Sequence, residues 1–229
     1  MKIKFLGHSG FYIETLGKHL IFDPFITGNS LAEGIIDVKT LKADYILLTH
    51  GHGDHVADAE TIALENKATI ISNYEIVTWY GQKNIKGHGM NIGGKYSFDF
   101  GTVRYTTAIH SSVLPDGTYA GNPGGFIIQN EEATFYHAGD TALTLDMKLI
   151  PQLGYNLDFA ILPIGDNFTM GYEDALIAAT YFECDIIIGC HFNTFPPITI
   201  DTHKAREVFT KAGKKLLIPE VGKIVNVSL

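Results

Sequence analysis

Four side chains able to bind a divalent metal fall within six consecutive residues: His50, His52, Asp54 and His55, with Gly51 and Gly53 between them. Imidazole and carboxylate in so short a row suit a metal centre, and the rest of the chain decides whether the cluster is that or a histidine-rich surface turn. The apolar residues 45–48 stand just before it, as a buried strand feeding a loop would. Side chains of an extended segment alternate in direction, so His50 and His52 project the same way. Gly51 and Gly53 permit a turn tight enough to bring Asp54 and His55 back toward the same point. Asp54 also suits the opening of a helix over residues 56–65, where Val56, Ala59, Ile62 and Ala63 recur at helical spacing. The stretch therefore reads as two half-sites, two imidazoles on the strand side and a carboxylate with an imidazole on the helix side.

Three further apolar runs end in residues of the same kind: 103–108 lead to His110, 134–136 to Asp140, and 186–190 to His191. Loops at strand ends are where α/β proteins place their chemistry. Alone, His110 or His191 reads as a structural histidine; with the first cluster the total is five histidines and two carboxylates, a set for two divalent ions. His50, His52 and His110 take one ion, Asp54, His55 and His191 the other, and Asp140 bridges. Two ions about 3.5–4 Å apart acidify a shared water, and the resulting hydroxide attacks an electrophilic centre while the ions steady the oxyanion. Asp54 and Asp140 are thus expected to be catalytic as well as ligating. The ligand types accept zinc, manganese, iron or nickel, zinc and manganese being favoured.

The elements holding these residues alternate between strand and helix. Short strands are expected over residues 3–6, 11–14 and 19–22, punctuated by Gly7, Gly10 and Gly17, and the third stops at Asp23-Pro24. After the 45–48 strand and its helix come a strand at 69–72, a helix at 73–80 and a glycine-rich stretch, 81–94. That stretch is the expected join between two halves of one domain covering residues 1–229. Beyond it, strands are expected at 95–100, 102–108, 125–129, 134–136, 159–163 and 185–189, with a last one at 215–217. Helices are expected at 144–152, 172–182 and 201–211. Such mixing implies an α/β fold with helices covering sheets.

Composition narrows the function. An apolar fraction of 45% and a charged fraction of 18% in 229 residues are ordinary for a globular enzyme. Met1 to Phe5 run straight into the first strand and no apolar run is long enough for a bilayer, so a cytoplasmic protein without membrane contact is expected. Cys184 and Cys190 fit a reducing compartment; Cys190 neighbours His191, yet alternation points it the other way. A net charge of -8 with only Arg104 and Arg206 as arginines argues against a nucleic-acid groove, which needs a basic stripe.

His50-Gly51-His52-Gly53-Asp54-His55, followed in order by His110, Asp140 and His191, resembles the metallo-β-lactamase superfamily. The resemblance implies a four-layer αββα sandwich, two mixed β-sheets with outer helices, and a dinuclear site at one edge with the ligand roles given above. Phe5-Leu6-Gly7-His8-Ser9-Gly10, Phe22-Asp23-Pro24, His137-Ala138-Gly139-Asp140-Thr141 and the stretches from Leu162 to Gly171 and His191 to Pro196 resemble a metal-dependent hydrolase branch. That branch is similar to the L-ascorbate-6-phosphate lactonases, and its members' self-association implies a homo-oligomer. Asp140 at the bridging position argues against an antibiotic-hydrolysing enzyme. His52 in place of the glutamate of flavodiiron relatives argues against redox chemistry. Glyoxalase II and the RNA-processing members resemble the chain less, since they carry added domains.

The expected activity is metal-dependent hydrolysis of an ester, lactone or phosphodiester bond in a small soluble molecule. A non-haem di-iron oxidoreductase and a metal-stabilised binding protein are the alternatives. His8 is a candidate catalytic residue, contacting substrate or protonating a leaving group, against the reading of a packed turn histidine. Asp23 or Asp166 is expected to accept a ring N–H from a ligand histidine, with an Asp-Pro turn and a loop-forming aspartate as the plain alternatives. Asn193 reads as a loop or capping residue. His137 points away from the ligands, and His19, His88 and His203 take edge, linker and helix positions at the surface. Residues 27–34, 111–124 and 165–171 wall the pocket, with Phe168, Met170, Tyr119 and Phe195 as candidate rim.

Overall fold

A computed structural model describes residues 1–227. The first half builds β1 (Lys2–Gly7), β2 (Gly10–Thr15), β3 (Lys18–Phe22), β4 (Tyr45–Leu47), β5 (Thr69–Asn73) and β6 (Gly87–Met90). The second builds β7 (Lys95–Phe98), β8 (Gly101–Thr107), β9 (Gly124–Gln129), β10 (Thr134–His137), β11 (Phe159–Pro163), β12 (Ile186–Cys190) and β13 (Lys215–Leu217), and β14 (Ile224–Val225) returns to the first sheet. The first sheet has the order β14-β1-β2-β3-β4-β5-β6 and the second β13-β12-β11-β10-β9-β8-β7. Both are mixed: β1 to β3 and β7 to β10 pair antiparallel, β3 to β6 and β10 to β13 parallel.

Alternation decides what each face buries. Phe11, Ile13, Leu20 and Phe22 from the first sheet meet Val103, Tyr105, Phe126 and Phe135 from the second in an apolar layer between them. The opposite face of the first sheet is covered by α1 (Gly53–Val56), α2 (Ala59–Asn66) and α3 (Tyr74–Gly81), which bury Val56, Ile62 and Ile76 there. The outer face of the second lies under α4 (Leu149–Gln152), α5 (Tyr172–Tyr181) and α6 (Thr202–Lys211). The result is the four-layer αββα sandwich. Among the described residues no helix is long and apolar enough to cross a membrane.

Direction matters more than layering for the site. In the first sheet β1, β3 and β4 point the same way, and in the second β8, β10 and β12 do. The residues just beyond their C-terminal ends are His8, Asp23, the 49–55 turn, His110, Asp140 and His191.

Several local expectations are corrected. The helix expected over 56–65 is interrupted, because the Asp58 amide donates to Pro24 O and its carboxylate accepts from the Ile26 amide and from the Thr27 amide and hydroxyl. Strand β6 lies inside the stretch read as a linker; its ladder with β5 supplies the order that Gly87-His88-Gly89 lacks in apolar alternation. Residues 215–217 are not the last strand, since Ile224 and Val225 pair with Lys4 and Ile3. The helix expected at 144–152 begins as a 3-10 turn, Leu145–Lys148, before α4. Pro151 has no N–H for an α-helical bond back to residue 147 and is tolerated only in a first turn.

Candidate metal centre

Asp23 organises the turn that carries the clustered histidines. It is fully buried, with φ +39, a left-handed conformation that side chains adopt only under constraint. Its Oδ1 accepts the Thr49 amide at 2.8 Å, and Oδ2 accepts the Thr49 hydroxyl at 2.6 Å and the His55 Nδ1–H at 2.9 Å. The Thr49 oxygen in turn lies 3.0 Å from His50 Nδ1. His50 is thereby held as its Nδ1–H tautomer, and both rings turn Nε2 inward. Of the two carboxylates considered for this task it is Asp23; Asp166 is exposed and turns its Oδ1 to the Asn167 amide.

The donors gather in two groups. His50, His52 and His110 offer ligand atoms within 4.8 Å of one another, and so do Asp54, His55, His191 and His8. His50 Nε2 lies 3.0 Å from His52 Nδ1, whose ring has its other nitrogen 3.3 Å from Ser111 Oγ. Asp140 touches both groups through one oxygen: Oδ2 is 3.0 Å from His191 Nε2, 3.3 Å from His55 Nε2 and 3.6 Å from His110 Nε2. Gly139 makes this approach possible. It takes φ +64, and a Cβ there would lie 2.6 Å from Thr49 Cβ.

Asp23 also falls within ligand distance of His50 and His55, but its oxygens are committed to Thr49 and His55 Nδ1, so it orients the histidines and is not itself a ligand. By contrast, the buried atoms His55 Nε2, Asp140 Oδ1 and His191 Nδ1 have no hydrogen-bond partner among the described residues. Buried polar atoms are rarely left so. Of these, His55 Nε2 faces Asp140 Oδ2 at 3.3 Å, the oxygen that lies between the two donor groups, and imidazole nitrogens gathered around a carboxylate fit divalent cations.

Electrostatics agree. Burial lowers the pKa of His50, His52 and His110, keeping them in the neutral form that ligates. Burial also disfavours the charged form of Asp140, yet His191 and His55 beside it hold it well below the usual carboxylate range. His55 is the counterpart: burial lowers its pKa, and Asp140 and Asp23 outweigh that and raise it well above the ordinary value. Asp54, despite burial, is pulled down by the hydrogen bond from His8 and by His55. His8 is brought down to about 4 by burial, against the opposing effect of that bond. The 3.1 Å contact between His8 Nε2 and Asp54 Oδ2 is therefore a neutral N–H donating to a carboxylate, and not an ion pair.

The seven residues expected to ligate come together, and His8 lies beside them. His137 has the structural place expected of it: Nε2 donates to Ser9 O, Nδ1 accepts from the Gly139 amide, and the ring stacks on Phe22 at 5.1 Å. His19 is not at an edge; β3 is flanked by β2 and β4, and Nδ1 lies 2.6 Å from the Tyr12 hydroxyl. Cys190 is buried in the layer between the sheets, away from the ligands. Of the candidate rim, Phe195 packs against His8 with centroids 5.4 Å apart, whereas Met170 is buried in the core under α5. Sequence reading assigns no role to Thr49 or Thr194. Thr49 carried a signal, a hydroxyl directly ahead of the first histidine; Thr194 carried none.

Comparison with known proteins follows the same lines. Residues 2–191 match the β-lactamase superfamily domain. A UPF0173 metal-dependent hydrolase of Flavobacterium johnsoniae is 57% identical over 226 residues, which cover 99% of this chain and 100% of that one. The chain belongs to the UPF0173 family of the β-lactamase superfamily. Another member of that family, from Bacillus subtilis, is 47% identical over 232 residues, covering 99% of this chain and 97% of its own. Among solved structures, Igni18, a metallo hydrolase from the archaeon Ignicoccus hospitalis, matches with a TM-score of 0.89 at 37% identity, covering 98% of this chain and 97% of that one. The UPF0173 relatives carry the description metal-dependent hydrolase, which accords with the donor set.

Proposed function

We propose that this protein hydrolyses an ester, lactone or phosphodiester bond of a small molecule with two divalent cations, zinc or manganese ahead of iron or nickel. His50, His52 and His110 would hold one cation, Asp54, His55 and His191 the other, and Asp140 both. Such a pair, when bound, supplies an acidified water as nucleophile and Lewis-acid stabilisation of the oxyanion. The observation that carries the reading is Asp140 Oδ2, within 3.6 Å of a histidine from each donor group.

The chain's own residues prepare the chemistry. Asp23 and Thr49 hold Nδ1 of His55 and His50, so that both Nε2 atoms are directed before substrate arrives. Phe25 and Phe195 stand against the His8 ring and exclude water from that side of the site. Neither arginine serves the centre. Arg104 lines a cavity on the outer face of the second sheet with Ile127 and Tyr136, and Arg206 reaches Ile218 O. A phosphorylated sugar lactone would thus lack a guanidinium clamp, which favours an unphosphorylated ester or lactone.

The test is metal content together with a panel of generic esters, lactones and phosphodiesters on one preparation. Two ions per chain and metal-dependent turnover, abolished in Asp54→Ala with the circular dichroism retained, are expected. Iron absorption bands without ester cleavage would replace this reading with a di-iron oxidoreductase. Two ions without turnover on any substrate would make the protein a metal-stabilised binding protein.

A further inference from the structure

His8 lies in the bend between β1 and β2 with φ +54, and Gly7 before it has φ +103. Its carbonyl accepts the His191 amide at 2.8 Å, so the backbone of this bend is tied to the loop after β12. Its side chain is tied to the same loop: Nδ1 lies 2.9 Å from Thr194 Oγ1. On the other side Nε2 lies 3.1 Å from Asp54 Oδ2. A carboxylate oxygen requires a donor, so Nε2 carries the proton and Nδ1 accepts from the Thr194 hydroxyl. The alternative acceptor for that hydroxyl, Phe192 O, is farther away at 3.4 Å. The ring is 1% exposed and held by edge contacts with Phe25 and Phe195. A histidine committed at both nitrogens has neither a lone pair for a cation nor a free proton for a leaving group.

We propose that His8 is a positioning residue: its Nε2–H holds Oδ2 of Asp54 so that the carboxylate faces one cation site, and Thr194 fixes the tautomer that allows it. This rests on the reading of Asp54 as a ligand. Its consequence is local, because no hydrogen bond runs from His8 or Thr194 to His50, His52 or His110 among the described residues.

Cobalt(II) titration of the metal-free protein, followed by its visible absorption and by competition with a chelator, tests this. Thr194→Val and His8→Ala are expected to weaken one of two cobalt ions about 10- to 100-fold and to leave the other unchanged. His8→Gln, whose amide can still donate to Asp54, should restore most of the affinity with the cobalt bands unaltered in position. Thr194→Val keeps the test open if His8→Ala does not fold. Altered bands with no rescue by glutamine would make His8 a direct ligand, and equal weakening of both ions would make it merely structural; either overturns the proposal. An Asp54→Ala protein that binds both ions normally would overturn the reading of the site itself, and with it this one.

Discussion

Asp23 and His55 form a buried pair, Oδ2 to Nδ1 at 2.9 Å, and the same oxygen accepts the Thr49 hydroxyl at 2.6 Å. One carboxylate at the end of β3 therefore orients histidines assigned to both cation sites. In Asp23→Asn an amide hydrogen would oppose one of these donors. Destabilisation of the metal-free protein by about 1–3 kcal/mol is expected in urea unfolding. Cation affinity should fall about 10- to 100-fold by chelator competition.

Gly139 sets the distance between Asp140 and the 49–55 turn. Gly139→Ala places a Cβ against Thr49 and demands a left-handed backbone from alanine. A loss of about 2 kcal/mol or more is expected in urea unfolding, with a fall in activity because Asp140 and Thr49 are forced apart. Alanine at Gly154, where φ is +84 and nothing among the described residues lies within 4 Å, carries only the backbone penalty and serves as the control.

Cation binding should release protons. Asp140 and Asp23 raise the pKa of His55 well above its ordinary value against the effect of burial, which favours a proton on its ring in the metal-free protein. A cation at Nε2 must displace it. Affinity is therefore expected to rise with pH between 6 and 8, and calorimetry in buffers of different ionisation enthalpy should count the released proton.

Stability should depend on pH through His137, whose pKa burial lowers. A depressed folded pKa means that the unfolded chain takes up the proton first. The contribution is complete above the unfolded value of about 6.5 and is lost as pH falls below it toward the folded pKa. His137→Gln should flatten this dependence, so the difference in urea midpoint between wild type and variant should shrink from pH 8 to pH 5.

Much of the centre was legible because its chemistry is local and repeated. His50, His52, Asp54 and His55 are adjacent in the chain, and His110, Asp140 and His191 each follow an apolar run that is a strand. What was not legible depends on partners distant in sequence. Asp58 breaks the expected helix because its carboxylate serves Thr27, 31 residues away. Strand β6 exists because β5 offers it a ladder, and Thr194 matters only through His8, 186 residues earlier. Composition and periodicity report a residue's own preference, and these positions are decided by another's.

Stepwise addition of zinc or manganese to the metal-free protein, with bound ion and ester or lactone hydrolysis measured in the same samples, tests the central claim most directly. Turnover should be absent without metal, reach its maximum at two ions per chain, and be lost together with at least one ion in Asp140→Asn. Hydrolysis that persists at full rate in the metal-free protein, or saturation without any bound cation, would contradict it.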